Sequence, residues 1–197
     1  MAPVAVAAVT FAHTHLLTSR MTSCTYLIRH ASPDMSRTDI PYDVPSGPAL
    51  DQRGLMEADR LGEFLRAAGI GRMYASPFER AQRTAAIAAA QLGLDVLLEP
   101  MIGEWHAAER ARDVVARVEP VLARVRDESV LVGPVCLVSH GGTIGVMLRK
   151  LGMTREAVDR YRARYGGTTP SPTAGAWRAT GGIEPETWRF DLVFTPT

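Results

Sequence analysis

The amino-acid sequence predicts an α/β protein: a three-layer α/β/α sandwich with a mostly parallel central sheet and an antiparallel C-terminal pair of strands. Three observations carry that reading. Short apolar runs alternate with amphipathic stretches along most of the 197 residues, the pattern of parallel strands joined by crossover helices. Two of the runs close on histidine, Tyr26-Leu-Ile-Arg-His30 and Val138-Ser-His-Gly-Gly142, which puts both imidazoles at strand ends, where ligands of parallel sheets collect. The last two strand-like pieces are split by Gly181-Gly182, which suits a tight antiparallel connection.

The elements follow in order. Residues 23–28 are short and apolar and read as a central strand. Residues 31–50 contain Pro33, Pro41, Pro45, Gly47 and Pro48, so they form a loop, and its length beside His30 suits a substrate-facing one. Asp51 is an N-cap, after which Leu55, Ala58, Leu61, Phe64 and Leu65 recur at helical spacing until Gly69. Residues 72–76 form a brief strand, and Pro77 opens an alanine-rich helix to about Leu92. A short strand at 95–98 leads into a loop at 99–108 holding Glu104, Trp105 and His106. A helix over 113–126 carries the stripe Val114, Val118, Val121, Leu122 and Val125. Residues 135–139 are the clearest strand, followed by helices over 141–151 and 154–165 and strands over 174–179 and 187–194.

Composition narrows the class. Apolar residues make 46% and charged residues 22% of the chain, with a net charge of +1, which argues against a phosphate-neutralising nucleic-acid surface and for a small-molecule partner. Residues 1–20 are apolar in part but interrupted by His13, Thr14 and His15, too short for a membrane span and without basic residues ahead of the apolar stretch. They read as a disordered extension, with Met21 an alternative start and residues 21–197 one domain. Cys24 and Cys136 fall inside apolar runs and read as free thiols, so a cytoplasmic protein is expected.

The chemistry gathers in four places. Arg29 precedes His30 at the first strand end. In Ala75-Ser-Pro-Phe-Glu-Arg80, Arg80 lies in the first turn of a helix, where a cation opposes the helix dipole unless an anion binds nearby; Arg83, further along, lacks that rationale. Ser139-His140-Gly141-Gly142 joins a histidine to a glycine-rich helix start able to approach an oxyanion. Two arginines, two histidines and a helix N-terminus suit a phosphoryl group. A metal hydrolase built on His30, Asp34, His106 and His140 is a second reading, opposed by the arginine beside the histidine. A third is a phospho-ligand binding domain without turnover.

Leu27-Ile-Arg-His30, residues 50–54 opening a helix, Ser76-Pro77 with Arg80-Ala81 and Thr84-Ala85, and Ser139-His-Gly-Gly142 together resemble the histidine phosphatase superfamily, the branch that includes cofactor-dependent phosphoglycerate mutases. The resemblance implies a phosphoglycerate mutase-like fold and a phosphomonoester hydrolase, with His30 as nucleophile forming a phosphohistidine and Arg29, Arg80 and His140 clamping the phosphate. It implies a carboxylate acid/base in the loop after the third strand, best matched by Glu104; Glu99 would cap a strand end and Glu109 would be solvated. No metal and no cofactor are implied, and the partner is a small phosphorylated substrate. Phosphoglycerate mutase-type transfer is the alternative activity, disfavoured by the short interval between Glu104 and His140. The chain departs from the family at Ala31, where many members have glycine, and at Ser36, where many have an asparagine that touches phosphate; Ser36 is expected to replace that contact. The Gly-x-Trp-Glu-Gly pattern after the acid is also missing. Residues 32–48 and 105–112 are expected to line the leaving-group side, with Asp34, Arg37, Asp39, Tyr42, Trp105 and Arg110 of mixed character.

Overall fold

In a computed structural model, which describes residues 22–184 and 187–196, the alternating pattern becomes a six-stranded sheet. The strands are β1 (Ser23–Arg29), β2 (Arg72–Ala75), β3 (Val96–Leu98), β4 (Val135–Ser139), β5 (Ala176–Gly181) and β6 (Arg189–Phe194). Their order is β3-β2-β4-β1-β5-β6. The first four run parallel, and β5 is antiparallel to both β1 and β6. The chain therefore steps outward from β1 to β3 and returns to insert β4 between β2 and β1, so connections diverge beside the carboxyl ends of β1 and β4. The reading of residues 1–20 as an extension lies outside the described residues.

Five helices cover the two faces: α1 (Gln52–Arg66), α2 (Glu79–Leu92), α3 (Ala111–Val132), α4 (Gly141–Lys150) and α5 (Arg155–Arg164). Alternation along the strands separates two cores. Tyr26, Ile28, Met73, Cys136 and Val138 pack with Leu61 and Leu65 of α1 and Ala81, Ala85, Ala88 and Ala89 of α2. Leu27, Tyr74, Leu137 and Trp177 pack on the opposite face with the valine stripe of α3 and with Ile144 and Met147 of α4 and Val158 of α5. The alanines of α2 let that helix lie close to the sheet and to α1. Among the described residues no helix is long and apolar enough to cross a membrane, and Cys24 and Cys136 are free thiols.

Two of the boundary differences from the sequence expectation have a clear physical cause. Helix α3 runs six residues past Arg126 because its last turns are tied to the sheet: the Glu128 carboxylate accepts the Tyr74 hydroxyl at 2.9 Å and pairs with Arg72, contacts that polar residues 127–129 do not announce in sequence. Strand β5 starts two residues later than expected, since Ala174 adopts a positive φ of 51° and donates its N–H to the His30 carbonyl at 3.1 Å. At α1 the Asp51 side chain accepts from the Gly54 N–H at 2.6 Å, a capping bond that starts the helix directly after the long loop. Gly54 is required for a second reason: a Cβ there would lie 2.1 Å from the Ser32 carbonyl oxygen.

Candidate functional site

Register brings the two histidines together. Arg29 of β1 is paired with Ser139 of the adjacent parallel β4, and the His30 N–H continues the ladder to the Ser139 carbonyl at 2.9 Å. The residue after each strand end is therefore a histidine, and the two rings lie with centroids 5.2 Å apart. Both are fully buried. His30 is oriented by its own backbone neighbour: Nδ1 lies 2.8 Å from the Ala31 carbonyl, which can only accept, so Nδ1 carries the proton and Nε2 keeps its lone pair. Burial lowers the His30 pKa well below the usual histidine value, and His140, Arg80 and Arg29 lower it further against the opposing pull of the Ala31 carbonyl. The ring is neutral at neutral pH.

Arg80 is fully buried as well. It sits in the first turn of α2, whose Glu79 N–H is tied to the Ser46 carbonyl at 2.8 Å. The guanidinium lies over the Tyr42 ring at 4.1 Å and the Phe78 ring at 4.6 Å. A Cβ on Gly47, which has φ +69°, would come within 2.6 Å of Arg80 Nη1, so only glycine lets the long loop close over this side chain. Thr84 links the two loops: its hydroxyl donates to the Arg80 carbonyl at 2.6 Å and accepts the Ala31 N–H at 2.9 Å. Arg29 donates from Nη1 to the Thr169 hydroxyl at 3.0 Å and the Ser171 carbonyl at 3.1 Å. Arg29 Nε and Arg80 Nε and Nη1 are buried with no hydrogen-bond partner among the described residues, donors that an oxyanion would satisfy.

Glu104 enters from the other side of the sheet end. The short 3₁₀ turn Pro100–Ile102 that precedes it is pinned to β4 and α4, with Ser139 Oγ donating to the Ile102 carbonyl at 2.7 Å and Thr143 Oγ1 to the Gly103 carbonyl at 2.8 Å. Arg117 of α3 holds the Met101 carbonyl at 2.6 Å and the Glu104 carbonyl at 3.1 Å. So placed, Glu104 Oε2 receives Arg80 Nη2 at 3.0 Å and lies 3.3 Å from His140 Nδ1. At the far edge of that ring, Ser76 Oγ accepts the Phe78 N–H at 3.4 Å and stands 2.7 Å from Nε2. His140 Nδ1 thus faces both Glu104 Oε2 and Arg80 Nη2, each at 3.3 Å, with Ser76 fixing the other edge of the ring. Burial lowers the pKa of His140 while Glu104 pulls it back up. Burial also works to raise the Glu104 carboxyl, but the hydrogen bond and charge of His140, the Trp105 N–H and Arg80 outweigh it and hold the group at about 2.

The structure therefore brings together Arg29, His30, Arg80, Glu104 and His140 and leaves Ser36 out. Ser36 is exposed, its hydroxyl donating to Asp34 Oδ1 at 2.6 Å and its N–H to the same oxygen at 3.0 Å; the turn closed by Asp34 spends that side chain locally. What the loop supplies instead is Tyr42, whose hydroxyl donates to His30 Nε2 at 3.2 Å. Tyr42 is the only aromatic residue between His30 and Asp51, the one sequence signal that singled it out from the loop's mixed lining. Ser76, quoted only as part of a motif, orients His140. Glu99 accepts the Met101 N–H at 3.0 Å at the start of the 3₁₀ turn. Glu109 is not solvated as expected: it is half-buried and paired with Arg117 at 2.8 Å, because α3 turns that arginine back toward the loop.

Neither Asp34 nor His106 joins the histidine pair; His106 is exposed and its Nδ1 accepts the Ala108 N–H at 3.2 Å. The donor atoms that do converge belong to His30, Glu104 and His140, all within 4.8 Å of one another. That trio has the right donors for a divalent ion, but the buried Arg80 guanidinium already occupies its carboxylate and opposes a second cation in the same space. The arrangement suits a tetrahedral oxyanion: one nucleophilic nitrogen, flanking cations, an imidazole donor and the start of α4 at Gly141 and Gly142 bordering an open pocket of about 330 Å³.

Residues 25–110 match the model of the histidine phosphatase superfamily (branch 1), a stretch that includes His30, Arg80 and Glu104, while His140 lies beyond it. Comparison with curated protein sequences yields no match. Among solved structures, a mycobacterial glucosyl-3-phosphoglycerate phosphatase complexed with VO3 superposes with a TM-score of 0.70 at 20% identity, covering 88% of this chain and 98% of that one. A phosphoglycerate mutase from Bacillus anthracis gives 0.67 at 14% identity, covering 87% and 92%. At such identities the likeness speaks for the fold. The chain thus matches the histidine phosphatase superfamily (branch 1) across residues 25–110 and has a phosphoglycerate mutase-like fold.

Proposed function

We propose that the protein is a metal-independent phosphomonoester hydrolase that acts through a phosphohistidine on His30. The observation that carries this reading is the fixed lone pair of His30 Nε2. With Nδ1–H held on the Ala31 carbonyl and the ring kept neutral by burial and neighbouring cations, Nε2 is a ready nucleophile, met at rest by the hydroxyl of Tyr42 in the pocket wall. Arg29, Arg80, His140 and the α4 start would hold the phosphoryl oxygens as charge shifts onto them in line with Nε2. Tyr42 leaves Nε2 as the substrate enters.

Glu104 cannot serve as an acid in the resting protein, because its partners hold it at about 2. Phosphate oxygens entering between Arg80 and His140 take those partners away and add negative charge beside the carboxylate. Both changes raise its pKa, so binding and protonation of Glu104 go together. In the first step Nε2 forms the N–P bond as the ester O–P bond breaks, and Glu104 gives its proton to the departing alkoxide. In the second, water attacks phosphorus, Glu104 takes the water proton, and the N–P bond breaks to return His30 and inorganic phosphate.

Hydrolysis is favoured over mutase transfer by the short path from Glu104 to β4, which consists of one loop and the single helix α3 and adds no insertion over the phosphoenzyme. The test is a radiolabelled phosphomonoester quenched during turnover. The expected result is an acid-labile, base-stable label on His30 together with phosphate release, both absent in His30→Ala; binding with neither label nor release would overturn the reading.

A further inference from the structure

Resting on that reading, we propose that the substrate's leaving group is an uncharged, hydroxylated ring, as in a sugar monophosphate, and that Asp43 selects it by binding its hydroxyls and repelling leaving groups with a carboxylate or second phosphate.

The pocket beside the phosphate clamp is lined by Tyr42, Asp43, Trp105, Thr168 and Thr169 together with Arg29, Glu104 and the α4 start at Gly141 and Gly142. Its volume of about 330 Å³ falls at the small end of ligand pockets, which run to roughly 300–1,000 Å³, and suits a single ring rather than a protein surface. The two loops expected to face the leaving group contain charges of both signs, yet most of them are used elsewhere. Arg37 is paired with Asp39 at 2.8 Å, Asp34 accepts from Ser36, Glu109 is paired with Arg117 of α3, and Arg110 is exposed and is not among the lining residues. Arg29, the cation among the lining residues, is anchored through Thr169 and Ser171 at the phosphate end.

Beyond the clamp, the remaining lining charge is negative. Asp43 is half-buried and has no hydrogen-bond or ion-pair partner among the described residues. A carboxylate so placed accepts two hydroxyl hydrogens, the way acidic side chains commonly hold sugar hydroxyls. For a leaving group with its own carboxylate or phosphate there is no lining cation left, and Asp43 adds like-charge repulsion in a partly desolvated space. The aromatic walls fit the same occupant. Trp105 is fixed by its indole N–H on the Glu109 carbonyl at 3.0 Å and lies against Gly142, where a Cβ would be 3.5 Å from the ring, giving rigid apolar surface for the C–H faces of a ring.

The experiment measures kcat/KM for glucose 6-phosphate, ribose 5-phosphate, 3-phosphoglycerate and fructose 1,6-bisphosphate, with 4-nitrophenyl phosphate as the reference ester. The wild-type protein should favour the two sugar monophosphates over 3-phosphoglycerate by at least about tenfold. Asp43→Asn should narrow that ratio about fivefold or more, chiefly by tightening the binding of the carboxylate-bearing ester, and Asp43→Lys should narrow it further. Equal or better turnover of 3-phosphoglycerate by the wild type, or a ratio unmoved in both variants, would overturn the proposal while leaving the phosphatase reading intact. Failure to hydrolyse 4-nitrophenyl phosphate, with no label on His30, would overturn both.

Discussion

Glu104→Gln separates the two tasks assigned to this carboxylate. Glutamine keeps the shape and can still accept from Arg80, but it loses the charge that neutralises a fully buried guanidinium and the proton that the leaving group needs. Glu104 Oε2 lies 3.0 Å from Arg80 Nη2 and 3.3 Å from His140 Nδ1, with the carboxylate side chain only 12% exposed, so solvent screens the pair little. Hydrogen bonds to charged groups contribute about 1.5–3 kcal/mol. For a chain of this size each kcal/mol moves Tm by roughly 2–4 °C, so the substitution should lower Tm by about 3–12 °C. Phosphate binding should move the opposite way. In the wild type an anion must displace the Glu104 carboxylate from Arg80 and His140, whereas in the variant only a neutral amide competes for them, so inorganic phosphate should raise the variant's Tm more than the wild type's. Turnover of an alkyl phosphate should fall by roughly 10²–10⁴-fold with loss of acid catalysis, and less for 4-nitrophenyl phosphate, whose leaving group departs without a proton. Thermal melts across a phosphate titration, with steady-state kinetics on both esters, provide the readout. A variant whose Tm responds to phosphate no more than the wild type's, or whose losses are equal on the two esters, would refute this account of Glu104.

The other predictions concern pH, packing and metals. His30 and His140 have pKa values lowered from 6.5, so below that value the unfolded chain binds more protons than the native one; stability is complete above about pH 6.5 and falls as the pH drops below it. Glu104, lowered from 4.5 to about 2, adds a second loss between those values, and acid melts followed by circular dichroism should fall in both windows; a melt flat from pH 7 to 5 would contradict the buried neutral histidines. Gly54→Ala would set a Cβ 2.1 Å from the Ser32 carbonyl oxygen and push the backbone that follows His30, costing about 1–3 kcal/mol, read as lower Tm and lower activity, whereas an unchanged Tm would mean the loop yields freely. Activity should survive exhaustive dialysis against EDTA, because Arg80 opposes a divalent ion among His30, Glu104 and His140; loss of activity on chelation and recovery with metal would reverse that assignment.

The layers and most strands were legible in the sequence because apolar periodicity reports which face of an element is buried. The sequence could not report that β4 inserts between β2 and β1, since periodicity is silent on which parallel strands are neighbours. That insertion is what turns two distant histidines into one site. Arg80 was legible as a cation at the wrong end of a helix dipole, an energetic conflict that a bound anion resolves. Tyr42 and Ser36 show the limit: both lie in a proline-rich loop whose path depends on Gly47 and on the Asp34 turn, and spacing alone gave no way to tell which of the two would turn inward. Glu109 was misplaced for a similar reason, because its partner Arg117 reaches it from two turns inside α3.

The site's electrostatics are internally consistent in a way that single residues do not reveal. The cations that would bind phosphate are the same ones that help keep His30 neutral, so the groups that attract the substrate also preserve the lone pair that attacks it. Left alone, such a cluster would hold a buried arginine with no counter-charge, an arrangement that costs stability. Glu104 supplies that charge in the resting protein, and in the proposed mechanism it would give up its partners to the substrate, an exchange that would change its protonation in the direction the leaving group needs. On the proposed mechanism, counter-ion and acid would be one side chain used at two stages, which would account for the place of Glu104 inside the clamp, with Arg80 and His140 as its partners, rather than at the pocket rim beside Asp43.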